Sequence, residues 1–174
     1  MTGEAGVHEQ IIALLPRLRR FAAALTGSRE DGDDLVQDTI ARALSRMDQW
    51  QEGTHLDRWM MRIARNLWID NLRSRRPEVS AADYDAELPG VDGRRIVESR
   101  LMIRSVSDAL DKLPVEQREV LVLVVVDGRS YQEAANLLGI PIGTVMSRLA
   151  RARRSISREL ITEPVAHGSR TEPA

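Results

Sequence analysis

Residues 130–158 have the sequence SYQEAANLLGIPIGTVMSRLARARRSISR, and this stretch decides the fold of the second half of the chain. Ser130 and Glu133 have the spacing of a capping box, in which each side chain satisfies a free backbone amide of the other residue. The helix that they start meets a tight turn at Gly139, and a longer helix follows Pro141. These parts predict a helix-turn-helix unit.

The second helix of this unit separates an apolar side from a basic side. Its apolar residues step by four, three and four positions, so they are predicted to be buried: Val145, Leu149, Ala152 and Ile156. The opposite side carries Thr144, Ser147, Arg148, Arg151 and Arg154. Hydroxyl groups and guanidinium groups bind base edges and phosphates. The pattern favours a DNA-reading helix, and a solvated basic helix in an ordinary bundle is the alternative.

Helical periodicity extends over most of the chain, and no strand pattern or internal repeat appears. A first helix carries apolar residues from Val7 to Leu25, and Ser28 is placed to cap a second that ends near Met47. A third is predicted from Asp57 to Arg75. The residues predicted to face inward on the second and third helices are Leu35, Val36, Ile40, Ala43, Leu44, Met60, Ile63, Ala64, Leu67 and Leu72. Helices over 96–113 and 114–126 precede the helix-turn-helix.

The predicted fold is all-α, with two small helical domains at 8–76 and 96–161. Between them, residues 77–95 contain prolines and glycines, and residues 77–93 hold five acidic residues without a base, which predicts a flexible acidic linker. Residues 162–174 are predicted to be a disordered tail. Charge is sorted into blocks, since six arginines against one acid lie between Arg58 and Arg76. Such basic blocks favour nucleic acid despite a net charge of −1.

Several classes of protein are disfavoured by composition. The chain has no cysteine, and its histidines, His8, His55 and His167, lie far apart, so no metal site is expected. No apolar run is long enough to span a bilayer, and the N-terminus lacks a signal-peptide pattern, so a cytoplasmic protein without membrane insertion is predicted. No glycine-rich phosphate loop or nucleophile with a paired base appears, so neither an enzyme nor a cofactor is expected.

The tryptophans lie close to the arginine-rich helix, at Trp50, Trp59 and Trp68. Basic side chains interleaved with aromatic rings suit single-stranded nucleic acid, because bases stack on exposed rings. Helical spacing favours a place in the core for Trp59 and Trp68, whereas Trp50 is at a loop edge and suits either place. The same helix has a polar face formed by Arg62, Arg65, Asn66, Asp70 and Arg73, which either contacts bases or is simply solvated.

Four motifs, in order, resemble those of bacterial sigma factors, and the resemblance covers about residues 8–160. Residues 33–39, DDLVQDT, resemble the polymerase-binding helix of region two, and residues 59–70, WMMRIARNLWID, resemble its promoter-melting helix. The start of region four is similar to LDKLP at 110–114, QR at 117–118 and SYQEAA at 130–135. Its recognition helix is similar to GTV at 143–145, SRL at 147–149 and RAR at 151–153. With only these two regions, the chain is identified as a member of the extracytoplasmic-function group.

The resemblance implies how the two domains divide the work. Region two would bind the clamp of core RNA polymerase through Asp33, Asp34, Leu35, Gln37 and Asp38. It would also bind the melted nontemplate strand at the minus-ten element through Trp50, His55, Arg62, Arg65, Asn66, Asp70 and Arg73. Region four would read the duplex minus-thirty-five element through Thr144, Ser147, Arg148, Arg151 and Arg154, and contact the polymerase flap. The acidic linker would run toward the active-site cleft.

The group also implies an anti-sigma factor that covers the polymerase-binding surfaces, and control of a stress-response regulon. Two departures from the family pattern leave the promoter sequences open. Met146 stands where a lysine is common, and Thr54-His55-Leu56 is an uncommon loop. The alternatives are a sigma-like decoy that sequesters an anti-sigma protein and a helix-turn-helix repressor. A repressor would leave the acidic helix and the tryptophan-rich helix without a role.

Overall fold

The computed structural model describes residues 2–51, 53–74 and 106–162, and these residues form helices joined by short turns. Within this part of the chain there is no strand, which confirms the all-α prediction. The helices are α1 (Thr2–Thr26), α2 (Arg29–Ser45), α3 (Leu56–Ser74), α4 (106–111), α5 (Val115–Leu121), α6 (Tyr131–Leu138) and α7 (Ile142–Thr162). A 3-10 turn spans Met47–Gln49, and a π-helical turn, Val122–Val126, continues α5.

The first half, residues 2–74, is a bundle of α1, α2 and α3 around Leu18, Phe21 and Met60, each about 1% exposed. Burying a side chain of this size contributes roughly 1.5–3 kcal/mol. Ser28 caps α2 as predicted, since its Oγ accepts from the Asp31 amide at 3.2 Å. The helices α1 and α2 cross at Gly32, where a Cβ atom would lie 2.8 Å from the Ala23 backbone. The bundle therefore depends on a glycine at that crossing.

The second half, residues 106–162, packs α4 to α7 around Val120, Val122, Val145 and Leu149. The capping box forms as predicted, with bonds in both directions between Ser130 and Glu133. Gly139 has φ 66°, a left-handed conformation that glycine adopts without a steric penalty, and it ends α6. The predicted helix-turn-helix is thus present, with Ile156 half-buried where full burial was predicted.

Two predictions of inward-facing residues are wrong. Leu44 is 45% exposed and Leu72 is 36% exposed. Each lies in the last turn of its helix, where the other described helices do not cover it, although both fit the apolar periodicity. The predicted linker at 77–95 lies outside the described residues, as does the tail at 162–174 apart from Thr162, which ends α7.

The two halves contact each other directly, which a flexible tether alone does not predict. Their apolar residues join one continuous cluster. The buried Arg118 of α5 donates to the Leu25 carbonyl at the end of α1, at 2.9 Å, and Ser107 Oγ donates to the Gly27 carbonyl at 2.8 Å. Arginine at a helix C-terminus satisfies carbonyls that have no partner within the helix. The second half thereby caps a helix of the first.

Candidate nucleic-acid interface

The acidic face of α2 is formed by Asp33, Asp34, Gln37 and Asp38, which recur every four residues along one side of the helix. Asp33 is half-buried, and the other side chains are exposed. Arg19 lies 3.6 Å from Asp33 in a surface ion pair, which contributes at most about 1 kcal/mol. Leu35 is buried in the core, as its helical position predicts, so the direct clamp contact that the resemblance implies for it is not available, and its side chain supports the acidic face from beneath. Leu44 is exposed on the same side of α2, although the sequence pattern predicted that it faces inward.

The polar stripe of α3 is formed by Arg62, Asn66, Asp70 and Arg73, all exposed at spacings of four, four and three residues. Such spacing aligns side chains along one helix face. His55 is exposed just before the helix begins. The structure therefore brings these predicted minus-ten residues onto a single accessible surface.

The tryptophans occupy different environments. Trp68 is 4% exposed and belongs to the core as predicted, whereas Trp59 and Trp50 are half-buried. The Trp50 ring packs against the core, and its buried Nε1 has no hydrogen-bond partner among the described residues. Trp50 therefore offers only part of its ring for stacking in this conformation.

Arg65 is set apart from the stripe by an ion pair with the other half of the chain. Its Nε lies 2.9 Å from Glu119 Oε1, and its Nη2 donates to Oε2 at 3.3 Å. The Glu119 side chain is only 3% exposed. Burial raises the pKa of the Glu119 carboxyl, while the charges of Arg65 and Arg148 oppose that rise. One carboxylate thus interacts with a predicted minus-ten arginine and a predicted minus-thirty-five arginine.

The predicted recognition helix, α7, exposes Ser147, Arg151 and Arg154, while Thr144 and Arg148 are half-buried. Ser147 Oγ donates to the Thr144 carbonyl at 3.0 Å, and Arg154 Nε donates to the Ala150 carbonyl at 3.3 Å. These side chains lie along their own helix and are available to a ligand. Met146, 52% exposed, adds an apolar element to this face.

A group of four charged residues joins the halves and was not predicted from the sequence. We call it the clasp, and its members are Arg17 of α1, Asp57 of α3, and Asp127 and Arg129 after the π turn. Arg17 donates to both Asp127 oxygens, at 2.5 and 3.0 Å, and to Asp57 at 3.1 Å. Arg129 donates to Asp57 at 2.6 Å and to Asp127 at 2.8 Å. Asp127 has no exposed side-chain surface.

The electrostatics of the clasp favour its charged form. Burial alone would raise the pKa of the Asp57 carboxyl, but the hydrogen bond and charge of Arg129 lower it below the ordinary value. Burial likewise acts to lower the pKa of Arg129, and its bonds to Asp127 and Asp57 raise it instead. A neighbouring pair joins Arg58 Nη2 to Glu133 Oε1 at 3.0 Å. Within the described ranges, no cluster of acidic or histidine side chains has the geometry of a metal site, and no helix has the length and apolarity needed to cross a membrane.

Family models match both halves of the chain. Residues 103–156 match the model described as sigma-70, region 4, and residues 11–65 match the Sigma2 domain of PhyR. Among characterised proteins, the chain is 41% identical to the ECF RNA polymerase sigma factor EcfG of Rhodopseudomonas palustris over 159 residues, which cover 90% of this chain and 86% of the relative. It is 29% identical to the ECF sigma factor SigW of Bacillus subtilis over 160 residues, 83% of each chain.

Solved structures are similar over nearly the whole length. The sigma factor RpoE from Bartonella quintana, in complex with the anti-sigma factor NepR, superposes with a TM-score of 0.72 at 29% identity, covering 91% of this chain and 99% of that one. CnrH in complex with the cytosolic domain of CnrY gives 0.69 at 29% identity, covering 94% and 93%. Both structures contain a bound partner, the anti-sigma factor NepR in the first and the cytosolic domain of CnrY in the second.

Proposed function

The chain belongs to the extracytoplasmic-function family of RNA polymerase sigma factors, and we propose that it carries core polymerase to its promoters through three surfaces: the acidic face of α2, the polar stripe of α3 and the exposed side of α7. It is an alternative sigma factor under anti-sigma control. The observation that supports the assignment of surfaces is that α3 and α7 each expose a polar face with arginines, whereas α2 exposes an acidic face that has the wrong charge for DNA. A repressor would need only α7.

The acidic face of α2 is the proposed contact with the polymerase clamp. Asp34, Gln37 and Asp38 are exposed there, and acidic side chains complement a basic protein surface while repelling phosphate. Leu44 extends the face with an exposed apolar side chain. We assign Leu44 to the same contact, because its exposed apolar side chain lies on the same side of α2 and would be removed from water by a protein that covers this face.

The stripe of α3 is the proposed site for the melted nontemplate strand. Arg62 and Arg73 would follow phosphates, while Asn66 and Asp70, one turn apart, would contact the edges of an unpaired base. Capturing unpaired bases lowers the cost of promoter opening without a fuel molecule, so the chain itself needs no enzymatic activity. The exposed side of α7 would read the minus-thirty-five duplex, through Ser147 and Arg151 above all.

Regulation by a partner protein is part of the proposal. The solved relatives RpoE and CnrH have their partners bound, and we infer that an anti-sigma protein holds this chain in the same way. The site of action is the cytoplasm, where polymerase and promoter DNA are found. No cofactor takes part in any of these steps.

The test is in vitro transcription with sigma-free core polymerase and a library of genomic promoter fragments. Asn66→Ala and Arg151→Ala should each reduce specific initiation, since one lost base contact is worth roughly 1–3 kcal/mol, or about five- to 150-fold. The matched controls are Asn71→Ala and Arg20→Ala, which alter exposed residues outside the proposed faces. Equal activity of all four variants and the parent would contradict the assignment.

A decoy is the second candidate, and one observation favours it. Residues 11–65 match a model named for the Sigma2 domain of PhyR, and a solved PhyR is described as an anti-anti-sigma factor. The basic face of α7 favours the sigma factor, because a decoy has no use for exposed arginines on a recognition helix. A chain that binds an anti-sigma protein but never initiates with core polymerase would be the decoy.

A further inference from the structure

The contact between the halves uses two arginines that flank the α3 stripe, which is the proposed nucleic-acid surface. Arg65 lies on the flank of the α3 stripe, and its guanidinium is held by Glu119 of α5. Arg58, two turns earlier on the same flank, is held by Glu133 of α6. In this arrangement the second half covers one edge of the surface assigned to single-stranded DNA.

The clasp fixes this arrangement with buried, multiply bonded charges. Asp127 accepts from both Arg17 and Arg129, and Asp57 accepts from the same two arginines. Each carboxylate therefore bridges the halves, because Arg17 and Asp57 belong to the first and Asp127 and Arg129 to the second. Desolvation offsets much of the attraction in such groups, but removing one member leaves a buried charge unpaired, which is strongly unfavourable.

We propose that the clasp closes the chain into an autoinhibited state, in which Glu119 and Glu133 occupy arginines that would otherwise bind nucleic acid, and that the clasp must open before the α3 surface is complete. The inference rests on the proposed function only in taking the α3 stripe, which Arg58 and Arg65 flank, as the nucleic-acid surface. A protein that binds only when open has an apparent affinity reduced by the fraction of open molecules. Loss of the clasp therefore strengthens binding.

The decisive variants are Arg17→Met and Asp127→Asn, which break the clasp from opposite halves. Neither residue belongs to a proposed polymerase or DNA surface. Arg17→Met removes a positive charge and Asp127→Asn removes a negative one. A direct effect of net charge on DNA binding would move the two variants in opposite directions, whereas opening of the clasp moves both in the same direction.

Closure is measured by energy transfer between two dyes, attached at Gln10→Cys and Ser157→Cys. Both positions are exposed, they lie on different halves, and the chain has no cysteine of its own. DNA binding is measured on unlabelled proteins by fluorescence anisotropy, with a fluorescein-labelled single-stranded DNA of mixed sequence at fixed salt. Breaking a buried charged pair shifts an equilibrium by about tenfold or more. Both variants should lower the transfer efficiency. They should also lower the dissociation constant for DNA, by up to about tenfold.

Matched controls are Arg20→Met and Asp48→Asn, which make the same charge changes at exposed positions outside the clasp. They should keep the transfer efficiency of the parent. Circular dichroism at 222 nm shows whether each variant keeps its helix content, and a variant that loses it is replaced by the variant on the other half. Unchanged transfer in both clasp variants would overturn the proposal, as would opening without stronger DNA binding. Failure of the parent in transcription would overturn the proposed function, while the transfer and anisotropy results would still decide the clasp.

Discussion

Replacing Gly32 with alanine sets two effects of opposite sign against each other. Gly32 lies inside α2, where alanine is favoured over glycine by roughly 1 kcal/mol from backbone entropy. The added Cβ would lie 2.8 Å from both the Cα and the amide nitrogen of Ala23, and 3.2 Å from its Cβ. Carbon atoms pack best at about 3.5–4.0 Å. The obstacle is helix backbone, which cannot turn away as a flexible side chain would.

The steric cost of the added Cβ is expected to exceed the gain in helix propensity. Overpacking in a close-packed core costs typically about 1–3 kcal/mol, and relief here requires α1 to move as a unit. Such a movement would disturb Leu18, Phe21 and Leu25, which are almost fully buried on the same helix. We therefore expect a net loss of about 1 kcal/mol or more in the free energy of unfolding.

The assay is urea denaturation of the full chain, followed by circular dichroism at 222 nm. The control is Gly143→Ala in the first turn of α7, because a Cβ there meets no atom within 4 Å. That variant should be as stable as the parent or up to roughly 1 kcal/mol more stable. A Gly32→Ala variant that matches or exceeds the parent in stability would refute this expectation, since the gain in helix propensity would then exceed the steric cost at the crossing.

Other expected outcomes concern the second half. Leu149→Ala should lower the free energy of unfolding by roughly 2–5 kcal/mol, measured by urea denaturation, because the side chain is 2% exposed. Ser130→Ala should cost about 0.5–2 kcal/mol in the same assay through loss of the cap, with Ser157→Ala near neutral. Bonds from Ser130 and Arg58 lower the pKa of the Glu133 carboxyl from its ordinary 4.5 to about 2. Its stabilising effect is therefore complete above pH 4.5 and lost as the pH falls toward 2, so the urea midpoint should drop more steeply between pH 5 and 3 in the parent than in Glu133→Gln.

Local features were predictable from sequence because their causes are local. The capping box needs only the spacing of Ser130 and Glu133, and Gly139 marks the turn by its own backbone preference. The α3 stripe likewise follows from helical spacing. Leu44 shows the limit of this reasoning, since periodicity assigns a face to a residue but cannot say where the neighbouring helix ends.

Contacts between the halves were beyond such reasoning. Arg17 and Asp127 are 110 positions apart, and nothing in the surroundings of either residue indicates the other. The ion pair between Arg65 and Glu119 could not be predicted for the same reason. The helical spacing shows that Arg65 faces outward from α3, but it does not show which residue of the other half lies opposite. The acidic face, the stripe and the recognition helix remain predictions as binding surfaces, and the structure adds which of their side chains are accessible.

Because of the π turn, the structure of this segment depends on the number of residues in it more than on their identity. The Asp127 amide donates to the Val122 carbonyl five residues back, so Val122–Val126 holds one residue more than a regular helical turn would. Deleting one valine would restore ordinary spacing and rotate everything after it by about 100° relative to α5. Asp127 would then leave its place between Arg17 and Arg129. Replacing one apolar residue with another keeps the number of residues in the turn unchanged. The protein should therefore tolerate substitutions in this segment far better than insertions or deletions.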